Sequence, residues 1–413
     1  MAGDRQTGTW SVTVDKDLRP SYYDQFHCLA AGCKLSCCIG WNIAFNKKDY
    51  LSLKRQEASP ELAERLSRAV HRVRDNKYGG QMYAEFDMSD GVCPLLREDC
   101  LCALQTEKGP DVLPAVCKVF PREESYLISG YLERSLTPAC EGMLALLWDL
   151  PEGIEFASDP LPKEKQRTLT LEGDLLLIQY FGEIRELCVD FLQDRRFPLP
   201  RRILLMGMAL RELVDGEKDI PGWLTRSQPM ADSLAAVGFP EEPEQDKLLA
   251  LLVTNTLQTL RMFEKHNPGL EGIREDILTY CGMSLTNGSY ATIRTAPYRE
   301  ARERFEKNFG DREYFFENLM VSLLFHLNIP DPTSAEMLWK SYVNFCNLYA
   351  FYRFMAVMSC REGAAGDKEE LFRMMVYVSR SLIHNSSRRT ALRDELFQND
   401  SATLAHMAVL LCG

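Results

Sequence analysis

Nine of the fourteen cysteines in this 413-residue chain lie between residues 28 and 140, and four come almost together at Cys28, Cys33, Cys37 and Cys38. A segment that concentrates thiols this way is constrained to loops and turns that turn several sulfurs toward common points. Metal or iron–sulfur centres use that arrangement, with ligand bonds of about 2.3 Å. The remaining five, Cys188, Cys281, Cys346, Cys360 and Cys412, are scattered along helical stretches and read as buried apolar residues.

The spacing adds detail. Four residues separate Cys28 from Cys33 and three separate Cys33 from Cys37, gaps short enough for a turn to place both thiolates on one ion. Cys37 and Cys38 are adjacent, and in extended backbone neighbouring side chains point to opposite sides. They therefore either serve two sites, or one ligates while the other packs. Cys93, Cys102, Cys117 and Cys140 bring the set to eight, with Cys100 as a ninth beside Cys102. Proline stands close to Cys93, Cys117 and Cys140, and fixes bends that can present a ligand without regular structure. Eight thiols suit two four-thiolate sites or one cluster with supporting cysteines. All-cysteine ligation without a histidine pair is compatible with a four-iron cluster or with zinc.

Composition sets the class. Hydrophobic residues make up 46% and charged residues 26%, as in an ordinary globular protein. Apolar runs such as Met143–Trp148 and Leu248–Val253 are much shorter than the roughly 20 residues of a membrane span. The first residues show no secretory pattern, so a cytoplasmic location is expected, where clustered cysteines are metal ligands more often than disulfides. The net charge of −11 falls almost entirely after residue 140. It argues against nucleic acid and membrane insertion, and suits a lysine-bearing protein partner or a plain solvated surface. The oligomeric state is not legible.

Two parts are expected: a cysteine-rich α+β module over residues 1–150 and a mainly α, irregular helical bundle over 151–413, with a possible subdivision near 216–242. In the module, Ser59–Arg74 reads as a helix capped by Ser59, and Gln81–Met88 and Tyr126–Leu136 read as strands. In the body, helical periodicity covers Leu171–Arg195, Arg201–Val214, Pro243–Lys265, Tyr298–Asn308, Arg312–Leu327, Thr333–Cys360 and Lys368–His384. Thr333 with Glu336 forms a capping box, and Gly216–Glu242 reads as a loop with three prolines.

Several familiar chemistries are absent. The radical S-adenosylmethionine spacing would need a cysteine where Gly40 stands, and there is no dinucleotide-binding glycine motif, P-loop or Gly-x-Ser-x-Gly.

The stretches LRPSYYDQFHCLAAGCKLSCCIGWNI, CPLLREDCLCALQ, LPAVCKVFPR and RSLTPACEG, spanning residues 18–142, resemble the flagellin lysine N-methylases, within the wider cysteine-cluster family of zinc or iron chelators. Val378–Ser387 looks like the family's C-terminal stretch. The resemblance implies methyl transfer from S-adenosylmethionine to lysine ε-amines of flagellin, and a 4Fe-4S cluster or zinc held by Cys28, Cys33, Cys37, Cys38, Cys93, Cys102, Cys117 and Cys140. It carries over no catalytic or donor-binding residue. Such a centre would either brace the fold or hold the donor. Tyr22, Tyr23 and Trp41 flank the cysteine loop and either line a pocket or cover the module. Arg122, Arg380 and His384 are further candidates for the site, or ordinary ion-pair and cap partners. The rival reading is a non-enzymatic metal-chelating scaffold, which would leave lysines unmodified.

Overall fold

The computed structural model describes residues 6–74, 80, 82–234, 271–282, 285–286, 289–290 and 295–412. Helices dominate, with most of the β structure in the first 174 residues. Among the described residues, no helix is long and apolar enough to cross a membrane.

The body is organised around one helix, Ala335–Met358, whose side chains are buried on almost every face. Leu199–Val214, Thr295–Phe309, Lys368–Val378 and Leu404–Cys412 pack against it. Tyr342, Phe345, Tyr352 and Phe354 are wholly enclosed there, each worth about 1.5–3 kcal/mol in apolar burial. One close approach depends on glycine. A Cβ at Gly207 would lie 2.0 Å from the hydroxyl of Tyr342. Cys188, Cys281, Cys346 and Cys360 are buried in this body, as their spacing predicts.

A second, smaller core contains Ile43, Phe45, Leu62, Phe86, Cys93, Leu95 and Leu104, under a three-stranded sheet ordered Ala44–Phe45, Ala84–Phe86, Val70–Arg72. Tyr22, Tyr23, Phe26 and Met143–Leu147 lie outside it and pack into the large helical core. A four-stranded sheet lies between, ordered Arg122–Tyr126, Tyr131–Leu136, Lys16–Pro20, Phe156–Ala157. A buried, bidentate ion pair joins it to the body: Arg185 Nη1 and Nη2 donate to Glu133 Oε1 and Oε2 at 2.6 and 2.5 Å, with the guanidinium 4.0 Å from the Phe325 ring centre.

Several elements differ from their sequence reading. The helix at Ser59 is capped as expected, with Ser59 Oγ accepting from Leu62 N at 3.2 Å, but it ends at Ala69 because β-branched Val70 pairs with Phe86. Within Gln81–Met88 the strand occupies Ala84–Phe86. The single strand Tyr126–Leu136 is the second half of a hairpin, Arg122–Tyr126 with Tyr131–Leu136, turning at Gly130 with φ of +89°. Residues 171–174 belong to a strand, Arg167–Asp174, which pairs with Thr7–Val14; the helices begin only after Asp174 caps Leu176 and Leu177. The expected loop at Gly216–Glu242 holds a helix, Ile220–Leu234, anchored by buried Trp223 donating to the Ala209 carbonyl at 3.1 Å. Pro243–Lys265 lies outside the described residues. Finally, Ser334, not Thr333, caps the long helix, accepting from Met337 N at 3.1 Å. Thr333 instead closes a turn on Asp331.

Candidate functional site

The cysteine segment is positioned by short backbone pairings. Cys93 N donates to the Cys38 carbonyl at 2.8 Å, and Gly40 N to the Gly91 carbonyl at 2.8 Å, so 38–40 runs antiparallel to 91–93. Leu96 bridges Cys102, and Ala103 N donates to Leu95 at 2.7 Å. Cys102 and Cys140 stand immediately before the helices Ala103–Lys108 and Glu141–Trp148, and Cys117 lies in the short helix Ala115–Val119.

The predicted thiols form one electrostatically connected group centred on the Cys37–Cys38 turn. Cys28, Cys33 and Cys37 are within electrostatic reach of Cys140 or of one another through it. Cys38 interacts with Cys93 and Cys102, and Cys117 with Cys38, Cys37 and Cys102. Cys37 and Cys38 lie in a turn that brings their thiols into hydrogen-bonding contact, so the pair does not face opposite sides as extended backbone would require. Cys100 stands apart, exposed at a turn tip with φ of +61°. Glu141 closes the first loop, accepting from Lys34 N at 2.7 Å, Leu35 N at 2.8 Å and Cys33 Sγ at 3.4 Å. Burial, then Glu141, pushes the Cys33 thiol up to about 12, and burial pushes Cys140 up to about 11. Crowded thiols resist ionisation together; a bound cation reverses that preference. Among the described residues no three Cys, His, Asp or Glu converge at metal-holding geometry.

Arg380, a candidate from the sequence, reaches the cysteine loops from the far end of the chain. The helix Lys368–Val378 runs into a wide turn, Ser379–Ile383, that pushes this side chain into the cysteine loops. It is 9% exposed and donates to the carbonyls of Leu35 at 2.6 Å, Ile39 at 2.8 Å and Ala139 at 3.4 Å. Burial lowers its pKa, while Cys37, Cys33, Cys140 and Cys38 raise it.

The other candidates separate. Tyr22 is fully buried, its hydroxyl 2.9 Å from Ser322 Oγ, and Tyr23 is also buried, so both serve the core. Arg122 donates to the Phe26 carbonyl at 2.9 Å and lies over the Phe26 ring. Trp41 donates to the Cys37 carbonyl at 2.6 Å and stacks on His384, centroids 4.9 Å apart, with Phe120 5.5 Å from Trp41.

His384 belongs to a polar seam that the sequence reading did not identify. Its Nε2 lies 3.5 Å from Thr137 Oγ1. His326 Nδ1 lies 3.3 Å from Ser135 Oγ and 3.5 Å from Glu123 Oε2. Burial, with the charge of Arg389 nearby, drives His326 down to about 3; burial and Arg380 drive His384 down to about 4. Burial raises Glu123. Beside the seam opens a cleft of about 560 Å³, lined by Ile128, Leu171, Leu327, Asp331, Asn344 and Arg389 among others. No linear motif links these residues, which come from four distant segments.

A family model described as the FliB lysine N-methylase C-terminal domain matches residues 185–410, more than half of the chain. The chain belongs to the FliB lysine N-methylase family. His326, Arg380, His384 and Arg389 lie within the matched residues, and the cysteine segment lies before them. A lysine-N-methylase of Salmonella choleraesuis (strain SC-B67) is 26% identical over 155 residues, covering 37% of each chain. That of Salmonella typhimurium is 25% identical over 155 residues, again 37% of each. The flagellar biosynthetic protein FliU of Salmonella muenchen is 26% identical over 138 residues, which cover 33% of this chain and 78% of that protein. The alignments thus span little more than a third of the two lysine-N-methylases. No solved structure matches.

Proposed function

We propose that the chain is a cytoplasmic protein-lysine N-methyltransferase that acts on flagellin, uses S-adenosylmethionine as methyl donor and carries a cysteine-ligated iron–sulfur or zinc centre. Membership of the FliB lysine N-methylase family over residues 185–410 carries this reading. The flagellar name of one relative supports the choice of substrate. The cleft of about 560 Å³ lies within the range of small-ligand sites and combines apolar walls with Asp331, Asn344 and Arg389, polar groups that suit the donor's amino-acid and ribose ends.

Cys28, Cys33, Cys37 and Cys140 would hold one side of the metal centre, and Cys38, Cys93, Cys102 and Cys117 the other. Bound there, the centre would supply a rigid tie between these loops. Arg380 holds the same loops by their carbonyls, which favours bracing as the centre's role. The chain's remaining task is to align nitrogen, carbon and sulfur and to strip the lysine of its proton, because an ammonium of pKa about 10.4 has no lone pair to offer.

The test is direct. Protein purified anaerobically is analysed for iron, zinc and sulfide, then incubated with flagellin and methyl-labelled donor. Label on flagellin lysines is the expected result; unlabelled flagellin with metal-loaded protein would remove the enzymatic reading. Iron with sulfide and broad absorption near about 400 nm identifies a cluster, and zinc alone the other centre.

A further inference from the structure

One face of the hairpin Arg122–Tyr126/Tyr131–Leu136 gathers titratable groups that the bracing role leaves without a purpose. Side chains alternate along a strand, so Ser135 and Thr137 share a face. Glu123 is the register partner of Ser135 and shares it too. Two of the chain's six histidines meet this face, His326 at Ser135 and Glu123, His384 at Thr137. Glu124, the next residue, lies on the opposite face and is paired to Arg134 Nε at 3.1 Å.

The group has a closed end and an open end. The His326 side chain is 5% exposed and that of Glu123 is 45% exposed, so the carboxylate reaches solvent from a buried support. Next along the same face stands the aromatic wall of His384, Trp41 and Phe120, all partly exposed. Arg389 acts electrostatically on both Glu123 and His326 and also lines the cleft, as does Leu327, the residue after His326. The Arg389 guanidinium is held by the carbonyls of Leu382 and Ile383 at 2.7 and 2.8 Å. Carboxylate and cleft are therefore neighbours with one arginine between them.

We infer that Glu123 is the catalytic carboxylate of the lysine acceptor site, pairing with the incoming ε-ammonium and taking its proton, while His326 and Ser135 act as positioning residues for it. This rests on the lysine N-methyltransferase reading above and names the acceptor half of that site. The lysine's methylene stem lies along Trp41, Phe120 and His384, whose ring faces also suit a methylated ammonium. The freed amine lone pair forms the N–C bond to the sulfonium methyl; the C–S bond breaks with its electron pair left on sulfur, and the proton on Glu123 passes to water at its exposed side.

Charge favours this direction. Both imidazoles are held neutral by burial and by nearby arginines, so no imidazolium competes with the arriving cation. Desolvation at its buried support raises Glu123, with Arg389 opposing, and makes the carboxylate a better proton acceptor.

The experiment compares wild type, E123Q, H326Q and E124Q as full-length, metal-loaded proteins, with flagellin and methyl-labelled S-adenosylmethionine. E123Q lowers kcat by about a hundredfold or more, with binding of S-adenosylhomocysteine by calorimetry unchanged. H326Q moves the acid limb of the kcat profile. E124Q behaves as wild type in both. If E123Q keeps the wild-type rate and pH profile, the acceptor assignment is wrong although the enzymatic reading stands. If E123Q fails to fold by circular dichroism, H326Q decides: an unmoved acid limb overturns the assignment. A wild type that labels no lysine fails at the earlier step and removes both.

Discussion

Replacing Arg380 by Met tests whether the C-terminal turn holds the cysteine loops in place. Met keeps the length and apolar stem but removes all donors. Two of the lost bonds are short and charge-assisted, to Leu35 at 2.6 Å and Ile39 at 2.8 Å; the contact with Ala139 at 3.4 Å is weaker. Hydrogen bonds from a charged donor contribute about 1.5–3 kcal/mol each, so the short pair accounts for roughly 3–6. Two effects reduce this. Burying methionine avoids the guanidinium's desolvation, and the half-buried Leu35 and Ile39 segments let their carbonyls turn partly to water. The expected net loss is about 2–4 kcal/mol, concentrated in residues 28–40 rather than in the helical core. Lysine at 380 keeps the charge but reaches fewer carbonyls, and falls between the two. Urea unfolding with hydrogen exchange resolved by peptide reads both magnitude and place. Wild-type exchange in residues 28–40 of R380M, with an unchanged midpoint, would refute the reasoning.

Acidification should weaken the protein before its carboxylates are reached. Folded His384 and His326 resist protonation down to about 4 and about 3, whereas the unfolded chain binds those protons near 6.5. Stability is full above that value and falls as pH drops from about 6.5 toward 4. Glu123 and Glu133, raised by burial, oppose the trend at its lower end because the folded state takes up their protons first. Urea midpoints at neutral pH and near pH 5 that coincide would contradict this. At the buried pair Arg185–Glu133, either R185M or E133L alone should cost about 3–5 kcal/mol by stranding its partner, while R185M/E133L recovers much of it. A double-mutant cycle with no coupling would show that the pair does not join sheet to body.

The helical body was largely legible because a helix writes its buried face every three to four residues. Arg201–Val214, Tyr298–Asn308 and Arg312–Leu327 lie close to the observed Leu199–Val214, Thr295–Phe309 and Glu313–His326. Misreadings occurred where partners are distant. TLTLEGD at 168–174 alternates like a strand but continues into apolar helix, and only its pairing with Thr7–Val14 decides the matter. Prolines near Gly216 suggested a loop, yet Pro221 sits in the first turn of its helix, where its missing N–H costs nothing. The eight thiols were visible because cysteine is rare and their clustering is local. The pairing of 38–40 with 91–93, which sets Cys93 beside Cys38, joins segments far apart in sequence and leaves no mark in it. Arg380 was a candidate from the Val378–Ser387 stretch, but its partners were hidden because it acts from 341 residues beyond Ile39. The Glu123–His326 seam was invisible for the same reason: strand register and a helix end meet there, and neither leaves a mark in linear order.

The placement of Arg380 has a consequence for biogenesis. Ile39 precedes it by 341 residues, and a ribosome adding about 5–20 residues per second needs roughly 20–70 s to cross that interval. For that time the nascent chain displays its early sulfhydryls without the cation that locks them. A truncated product lacking the last helices would emerge with its first cysteine loop unlatched and its thiols open to oxidants.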